Sequence, residues 1–540
     1  MPFSVLVRFT TALLLLAGCT TALAQDSPTH RIPVVPDDVL TRPVVLRSGI
    51  GPAHDGVGTR NRDAQAFYDQ GLSYLHDYVW VEAARSFNQA LRLDPRLALA
   101  HVGLSFVFTE VNRPDASRDA FAAAQRLTSE LNPHDRAHVE IRALQMASEA
   151  APFDLDKRMA FRRALDAALT TFPDDAELWI QRGIGESSDP FERGQGSVVS
   201  SIPFYEKALA RGGVCAHHYL AHAYENSNQF TKAVEHATAY EQAAPNIPHA
   251  HHMRGHVLRR TGQIAAAVSA FDAADRLQIA YEASEHIPPE YEWHHEHNLD
   301  LLGSSYQYLG QMARAEKALK AAFDVPSLLA VQMYDKRGWP EFLISRGRLD
   351  EAMTAARILS THSVTIVRAT GHIEVARVHL AAGRFAQAAD ETNLALRELR
   401  AASTGQALVA PALQSLQGEF FLRTGQRERG RQMLRDVARV VRALPGPDNW
   451  VQALFTLESI ARTARAAGDD EFAAWAAMQM LEHDPNYAGG HYAAALSARQ
   501  RGDSANAQRE FTTALQLWGS ADPSLAELSE IRAMQGSLRR

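Results

Sequence analysis

Histidines in the middle of the chain recur at two fixed spacings. His218 and His222 are four residues apart, as are His252 and His256, and the second pair follows the first by 34 residues. On an α-helix, side chains at i and i+4 share one face, about 6 Å apart along the axis. Two adjacent helices, ~8–10 Å apart, would bring the four imidazoles together. Imidazole binds Zn²⁺ and related transition metals, so these four side chains are candidate metal ligands.

Further ligating side chains are expected to surround these four. They extend the same helix faces, or fall on the equivalent face of the next helix, and comprise Cys215, Glu225, His249, His297 and Asp300. Thiolate, carboxylate and imidazole are all transition-metal ligands. These five are therefore predicted groove or ligand-binding residues.

Such side chains need helices to hold them, and the chain carries a repeating helical pattern. Its clearest early copy contains Gly71, Tyr74, Ala83, Phe87, Ala90 and Pro95, at the spacing of a 34-residue helix–turn–helix repeat. Small residues such as Gly71 are expected where two helices approach closely, and large ones such as Phe87 fill the space between. Pro95 ends the second helix, because proline lacks an N–H and clashes with the preceding turn.

The recurrence of this pattern over roughly residues 63–520 resembles the tetratricopeptide-repeat (TPR) superfamily. The resemblance implies an all-α fold, a right-handed superhelical solenoid of antiparallel helix pairs in which each pair is stable only against its neighbours. It also implies that the first helix of each pair lines a concave groove, with positions 2, 5, 9 and 12 facing it. The nine residues named above occupy such positions. Residues 109–172 fit the pattern poorly and are expected to hold degenerate repeats.

Local motifs resemble a subgroup of exported bacterial TPR proteins with a histidine-rich groove. They are the segments 218–225 and 249–256, together with Gly51, His54, Val57, Thr59 and the segment 64–72. The subgroup often has Asn-His before the Glu-Ala of a second helix, where this chain has Val79-Trp80. If that histidine is a ligand there, this chain lacks it. The resemblance implies no particular activity.

Three explanations of the histidines remain open from the sequence: metal ligands, hydrogen-bonding lining for a peptide or anionic ligand, and structural packing. His217 and His251 are expected to pack, because they lie at position 4. His294 and His295 are expected in a loop or cap before the third helix. Cys215 also fits a small buried hydrophobe, and His54 a solvated loop residue that could instead fold back over the groove.

The N-terminus is predicted to direct export. Its short apolar run is followed by a lipobox that would make Cys19 a lipid anchor, or by a signal peptidase site after Ala24. The predicted organisation is a signal peptide at 1–24, an irregular Pro/Gly-rich arm at 25–62, N-terminal repeats at 63–213, histidine-bearing central repeats at 214–325, C-terminal repeats at 326–520 and a capping helix or tail at 521–540. The expected location is periplasmic or elsewhere in the cell envelope, as a lipoprotein or a soluble exported protein, and no transmembrane helix is expected.

Composition narrows the function classes. The chain has 540 residues and a formal net charge of −7 with no basic block, which argues against nucleic-acid binding. It lacks an HExxH motif, a phosphate-binding loop and a G-x-S-x-G elbow. The leading hypothesis is a non-enzymatic scaffold that binds a protein or peptide in its groove, with histidines that either bind a metal or give pH-dependent contacts. The alternative is a protein or enzyme that binds zinc or a similar transition metal, and a third is a purely structural assembly protein.

Overall fold

The computed structural model describes residues 32–187, 198–329, 332–403, 405–444 and 446–538. Within these ranges the chain is helical and has no β-strand. The α-helices are α1 Asp37–Leu40, α2 Arg62–His76, α3 Trp80–Leu93, α4 Ala98–Glu110, α5 Pro114–Leu127, α6 Pro133–Glu149, α7 Leu155–Thr171, α8 Ala176–Ile184, α9 Ile202–Leu209, α10 Ala216–Asn226, α11 Phe230–Ala243, α12 Pro248–Arg260, α13 Ile264–Glu285, α14 Trp293–Tyr308, α15 Met312–Asp324, α16 Gly338–Ser345, α17 Leu349–Ser360, α18 Thr365–Ala381, α19 Phe385–Ala401, α20 Gln406–Arg423, α21 Arg427–Ala443, α22 Pro447–Ala466, α23 Asp470–His483, α24 Ala488–Gln500, α25 Ser504–Leu517 and α26 Ala526–Leu538. In the same described ranges, four 3₁₀ helices lie at Thr128–Glu130, Val199–Ser201, Pro289–Tyr291 and Gln332–Arg337.

Consecutive helices pack as pairs, each against its neighbours, so the predicted all-α solenoid of helix pairs is confirmed. Two of these pairs approach closely because a glycine on the first helix faces an aromatic ring on the second. A Cβ placed on Gly71 would lie 2.6 Å from the Phe87 ring, and one on Gly255 would lie 2.5 Å from the Phe271 ring. Only glycine leaves room for the ring, so the expected close approach at Gly71 is also confirmed. The same geometry holds α12 and α13 together beside the histidines.

The turns inside the pairs need left-handed backbone. Gly262 after α12 and Gly310 after α14 have φ values of 76° and 75°. Asn228 takes the corresponding place after α10 with a φ of 59°. Asparagine tolerates this region better than other residues with a Cβ, so the same sharp turn recurs three times. These turns fix the relative direction of the helices that carry the histidines.

The described part of the N-terminal arm is bound to the helices. Residues 32–60 pack along the first repeat, where Gln70 donates its side-chain amide to the carbonyl of Val45 at 3.1 Å and Ser73 donates its hydroxyl to that of Gly51 at 2.9 Å. Polar side chains of α2 and backbone groups of the arm therefore satisfy one another, which explains how a segment without helical periodicity is ordered.

The solenoid closes on itself over long sequence distances. The first repeat contacts the end of α13, where Arg85 binds Glu285 at 2.9 Å, and the start of α14, where the Trp293 indole donates to the carbonyl of Tyr78 at 2.9 Å. On the other side, α22 packs across both α12 and α14. The first helices of the central repeats are thereby covered on their inner side.

The predicted sections correspond to groups of helices. The section 63–213 holds α2–α9 except the first residue of α2, 214–325 holds α10–α15, 326–520 holds α16–α25 and 521–540 holds α26. Residues 109–172, expected to be degenerate repeats, form the end of α4 and helices α5–α7. The signal peptide proposed for 1–24 lies outside the described residues. In the described part, no helix combines the length and apolarity that a membrane crossing requires.

Candidate functional site: a buried histidine cluster

Three adjacent helices bring seven histidines into one cluster. Helix α10 supplies His218 and His222, α12 supplies His249, His252 and His256, and α14 supplies His294 and His297. We call these seven residues the histidine cluster. Its members are 0–3% exposed. The structure thus brings together the four histidines predicted from their spacing, along with His249 and His297 from the surrounding set.

Contacts between α10 and α12 are direct. The Nε2 atoms of His218 and His249 lie 2.9 Å apart, and the ring centroids of the same pair are 4.7 Å apart. The His252 and His256 rings are separated by 4.4 Å, and His222 and His256 face each other across the two helices at 6.0 Å. Imidazole nitrogens on one tetrahedral Zn²⁺ would lie roughly 3.3 Å apart, so the Nε2–Nε2 distance between His218 and His249 is close to that within a ligand set.

Helix α14 adds His294, and the prediction that His294 and His295 lie in a loop or cap before the helix was wrong. Helix α14 begins at Trp293, so His294 and His297 share a face at i and i+3. Their rings lie 4.7 and 4.8 Å from the ring of His252. His295 points away to α13, where its ring nitrogens contact Asp275 at 3.3 Å and Glu282 at 2.8 Å. The HxxH spacing of His294 and His297 could have indicated from the sequence that the two residues share a helix face.

Aromatic side chains from the first repeat and from α14 enclose the cluster. The Tyr78 ring meets the His218 ring edge-on at 4.7 Å, and Trp293 packs at 5.4 Å from His249. Trp80 stacks on Trp293 with ring centroids 5.5 Å apart. Sequence reasoning missed the contribution of Tyr78 and Trp80, because these two residues lie about 140–220 residues before the histidines along the chain. Trp80 thus encloses the site from behind Trp293.

Two histidines are oriented by hydrogen bonds from outside the cluster. His218 Nδ1 lies 2.7 Å from the carbonyl oxygen of His76, and His252 Nδ1 lies 2.9 Å from the Oδ1 of Asn298. Both acceptors require a protonated Nδ1, because neither oxygen can donate. The lone pair of each ring is therefore on Nε2, which faces the other histidines. Metal-binding histidines are commonly fixed in this way.

Many donor atoms in and beside the cluster have no hydrogen-bond partner among the described residues. They are His222 Nε2, His249 Nδ1, His252 Nε2, both ring nitrogens of His256 and of His294, His297 Nε2, and both carboxylate oxygens of Glu225. A buried polar atom left without a partner costs about 1–3 kcal/mol. Glu225 is buried, and its Oε2 lies 3.5 Å from His256 Nδ1, beyond good hydrogen-bond distance.

Burial keeps the imidazoles of six residues neutral, namely His218, His222, His249, His252, His294 and His297. Desolvation lowers the pKa of His218 to about 3 and that of His297 to about 4. The pKa values of His222, His249, His252 and His294 are also well below the usual value, first because of burial and then because of the neighbouring imidazoles. Neutral imidazole is the form that binds a metal, so near pH 7 these side chains have no proton to lose first.

The donor atoms fall into overlapping groups whose members all lie within 4.8 Å of one another. The groups around the cluster are His218–His222–His249, His249–His252–His294, His252–His256–His297 and His222–Glu225–His256. Each offers at least three ligands, the number that protein supplies in many catalytic zinc sites. The arrangement can therefore hold a transition metal with mainly imidazole ligation.

Two of the predicted surrounding residues lie outside these groups. Cys215 is buried at the start of α10 with its Sγ 3.9 Å from the carbonyl oxygen of Pro52, and burial raises the pKa of its thiol. Asp300 is one turn beyond His297, and burial with the carboxylates of Asp335 and Asp448 raises its pKa well above the usual value. These two side chains border the site without joining a donor group.

The other histidines singled out by sequence have partners elsewhere. His217 contacts His236, with Nδ1 atoms 2.8 Å apart, and His251 binds Glu241 at 2.9 Å, both on the side of their helices away from the cluster. His54 is exposed on the arm, where Asp69 lies 2.8 Å from its Nδ1. His54 does not join the cluster.

A second group of ligating residues lies between the arm, α6 and α8, and sequence reasoning missed it. His134 contacts Asp55, Asp135 and Asp175 at 3.0–3.3 Å, and His138 contacts Asp175 at 2.8 Å. Hydrogen bonds to these carboxylates, Asp135 first, raise the pKa of His134 to about 12. Both ring nitrogens of His134 already have carboxylate partners, so we interpret this group as an ion-pair network that anchors the arm.

No family model and no curated protein matches this chain. Among solved structures, human IFIT1 in a dimer with PPP-AAAA is 12% identical, with 85% of this chain and 93% of that one covered and a TM-score of 0.35. Yeast Tom70 is 13% identical, with 88% and 96% covered and a TM-score of 0.33. The Cut9–Hcn1 structure is 13% identical, with 87% and 96% covered and a TM-score of 0.30. Similarities this low transfer no ligand or partner, and what is established of this chain is its fold of stacked helix pairs around a buried histidine cluster.

Proposed function

We propose that this protein binds a transition metal, and that the histidine cluster with Glu225 is its metal centre. The observation that carries the proposal is the convergence of ten buried donor atoms without hydrogen-bond partners from three adjacent helices. In native proteins most buried polar atoms have a hydrogen-bond partner. Ten buried donor atoms without one, all in the same place, therefore indicate a common binding partner. A metal ion bound to several imidazoles at once would supply it.

The donor set indicates which metals fit. Seven imidazoles and one carboxylate suit zinc, copper, nickel or iron, whereas Ca²⁺ and Mg²⁺ prefer oxygen ligands. The carbonyl of His76 and the side chain of Asn298 hold two of the imidazoles with Nε2 facing the centre. Hydrogen bonds from outside the cluster thus preorganise the site for metal binding.

The leading hypothesis from the sequence placed these histidines in an open groove that contacts a peptide. Their burial argues against that role, because an extended ligand cannot reach side chains that are at most 3% exposed. Tyr78, Trp293 and helix α22 occupy the space that such a ligand would need. Peptide binding, if it occurs, would use another surface.

The test of the metal centre compares two double variants. His218→Ala/His252→Ala removes one ligand from each of two helices, and His217→Ala/His251→Ala removes the preceding histidine on the same helices. Each protein is saturated with Zn²⁺, desalted and analysed for zinc, and helicity is checked by circular dichroism. We expect the first variant to lose zinc and the second to retain it with unchanged helicity. Equal zinc content in wild type and the first variant would overturn the proposal.

A cleft near the C-terminus favours a second candidate function, the binding of a peptide segment. The cleft between α22, α24 and α26 has a volume of about 530 Å³ and is lined by Arg346, Arg462, Arg465 and three glutamates. These arginines would pair with an acidic side chain or a terminal carboxylate of a bound peptide. Peptides selected from a random library should lose binding to the Arg465→Ala variant, and a library without enriched binders would exclude this candidate.

We further propose that the protein works in the bacterial cell envelope. The support is the apolar run at residues 9–18 with its two alternative cleavage sites. Mass spectrometry of the mature N-terminus distinguishes the alternatives, because an acylated Cys19 indicates a lipoprotein and an N-terminal Gln25 a released protein. An intact N-terminus in protein expressed in a Gram-negative bacterium would contradict export.

A further inference from the structure

The histidine cluster holds more ligands than one metal ion can use. Its seven imidazoles and the carboxylate of Glu225 make eight donor residues, and all eight are buried. A protein-bound zinc ion takes about four ligands. A single ion would leave about half of the buried donors in the same unsatisfied state as before. The size of the cluster therefore points beyond a mononuclear site.

The donors divide into two groups that share no member. The first group consists of His218 and His222 on α10 and His249 on α12. His252, His256 and His297 lie on α12 and α14. We call these the first triad and the second triad. Within each triad the ligand atoms lie within 4.8 Å of one another, so each can converge on its own ion.

Each triad contains one histidine held from outside and others with nitrogens available. His218 in the first triad is fixed by the His76 carbonyl, and His252 in the second by Asn298. In both cases the outer hydrogen bond is made by Nδ1, so Nε2 is the ligand atom. Each half of the cluster thus contains an HxxxH pair, and in each the first histidine of the pair is held through Nδ1, although the two acceptors come from different parts of the chain.

Two residues connect the triads. His294 lies between His249 of the first triad and His252 of the second, at ring distances of 5.1 and 4.7 Å. Glu225 belongs to one donor group with His222 and His256, which come from different triads. Both oxygens of Glu225 lack hydrogen-bond partners, so each can bind a different ion. Its negative charge would also offset part of the charge of two buried cations.

We infer that the cluster binds two transition-metal ions, one on each triad, with Glu225 as the carboxylate that bridges them. This inference rests on the proposed metal-binding function. The triads adjoin, since the rings of His249 and His252 are 5.5 Å apart, which is compatible with the ~3.5–4 Å metal separation of two-metal sites. His294 would complete the coordination of one of the two ions.

The test is the binding stoichiometry of Zn²⁺, measured by elemental analysis of the full chain after metal saturation and gel filtration. We expect two ions in the wild type and in the His217→Ala/His251→Ala control. We expect one ion in His218→Gln/His222→Gln, which removes ligands from the first triad only, and one in His256→Gln/His297→Gln, which removes them from the second. Glutamine preserves much of the side-chain volume, and circular dichroism verifies that each variant is folded.

The outcomes separate the inference from the function on which it rests. No zinc in the folded wild type would overturn both. One ion in the wild type would overturn the two-metal inference and leave the proposed function standing. The division into triads would be overturned if the wild type binds two ions and a folded triad variant still binds two ions or binds none. We expect Glu225→Gln to bind the second ion about 10–100-fold more weakly, as for other changes around metal ligands, and unchanged affinity would overturn its bridging role.

Discussion

At the scale of single residues, the partners of the histidines matter as much as the histidines. Asn298 accepts from His252 Nδ1 at 2.9 Å and donates to the carbonyl of Phe271 at 3.0 Å. The backbone of α13 therefore fixes the amide, the amide fixes the ring, and the ring presents Nε2 to the centre. A change in this outer residue should alter metal affinity without removing a ligand.

The first prediction separates that role from simple packing. Asn298→Leu removes the acceptor for His252 Nδ1–H, and Asn298→Asp retains it. We expect metal affinity to fall about 10–100-fold in Asn298→Leu and to stay much nearer the wild type in Asn298→Asp. Competition for Zn²⁺ with a chelator of known affinity measures the difference. An equal loss of affinity in both variants would contradict the role of Asn298 as the acceptor that orients His252.

A second prediction concerns pH and the ion-pair network of His134. The pKa of His134 is about 12 in the folded chain and about 6.5 when unfolded, chiefly because of its hydrogen bonds to Asp135 and Asp175. The folded state thus binds this proton more tightly than the unfolded state. The stabilisation that the protonated His134 contributes is complete below pH 6.5 and declines as pH rises towards 12. The decline should be less than about 1.4 kcal/mol per pH unit, because solvent screens the partly exposed His134.

Urea unfolding of wild type and His134→Gln checks this prediction, with both proteins measured between about pH 6 and 10. Since other groups titrate in both proteins, the informative quantity is the difference between their free energies of unfolding. That difference should be largest at the acidic end and shrink steadily with increasing pH. A difference independent of pH would show that His134 is not protonated in the folded protein.

Sequence and structure agree on residues whose positions follow from local periodicity. The convergence of His218, His222, His252 and His256 could be predicted because it needs only the helical repeat and the 34-residue separation. His294 was missed, because α13 is 22 residues long whereas its counterpart α11 has 14. The longer helix shifts the third repeat out of register, so the start of α14 could not be found by counting from α12.

At the scale of elements, glycines facing large side chains set how closely the helices of a pair approach. Gly255 on α12 receives the ring of Phe271 from α13, and Gly303 on α14 receives Leu319 from α15. Both pairs are 16 residues apart, the same separation as Gly71 and Phe87. The sequence pattern therefore predicts not only helices but also which residues touch, and it does so best where the repeat is regular.

The third prediction tests this contact beside the metal centre. A Cβ on Gly255 would lie 2.5 Å from Phe271, so Gly255→Ala must push the ring or the helix aside. We expect a loss of about 2 kcal/mol in the free energy of unfolding, within the usual cost of overpacking. Gly56→Ala is the control, since a Cβ there meets no atom within 4 Å. Thermal or urea unfolding measures both, and an unchanged stability of Gly255→Ala would contradict the packing argument.

At the scale of the whole molecule, closure of the solenoid turns a groove into an interior. The long α13 carries Glu285 to Arg85 of the first repeat, and α22 covers α12 and α14 from the inner side. These contacts join residues about 200 positions apart, and no local pattern reveals them. The sequence therefore predicted a concave groove lined by histidines, whereas the fold encloses the same residues and makes a buried, metal-compatible centre.

The fourth prediction concerns that closure. Arg85 is buried, where it pairs with Glu82 and Glu285 and donates to the carbonyl of Pro43 at 3.0 Å. Arg85→Ala leaves Glu82 buried without its counter-charge, so we expect a loss of about 3 kcal/mol in the free energy of unfolding. Arg439 forms an exposed pair with Asp436 at 3.0 Å, and Arg439→Ala should cost less than about 1 kcal/mol. Similar losses in the two variants would mean that the Arg85 contacts do not hold the closure.

The most direct test of the central claim is elemental analysis of the full chain purified without an affinity tag. The analysis is made as purified, and again after incubation with Zn²⁺ or a copper salt and desalting. A buried centre of neutral imidazoles should retain near-stoichiometric transition metal, with two ions per chain if both triads are filled. A chain that is folded but holds no metal, even after metal addition, would contradict the account and leave the histidine cluster as part of the core.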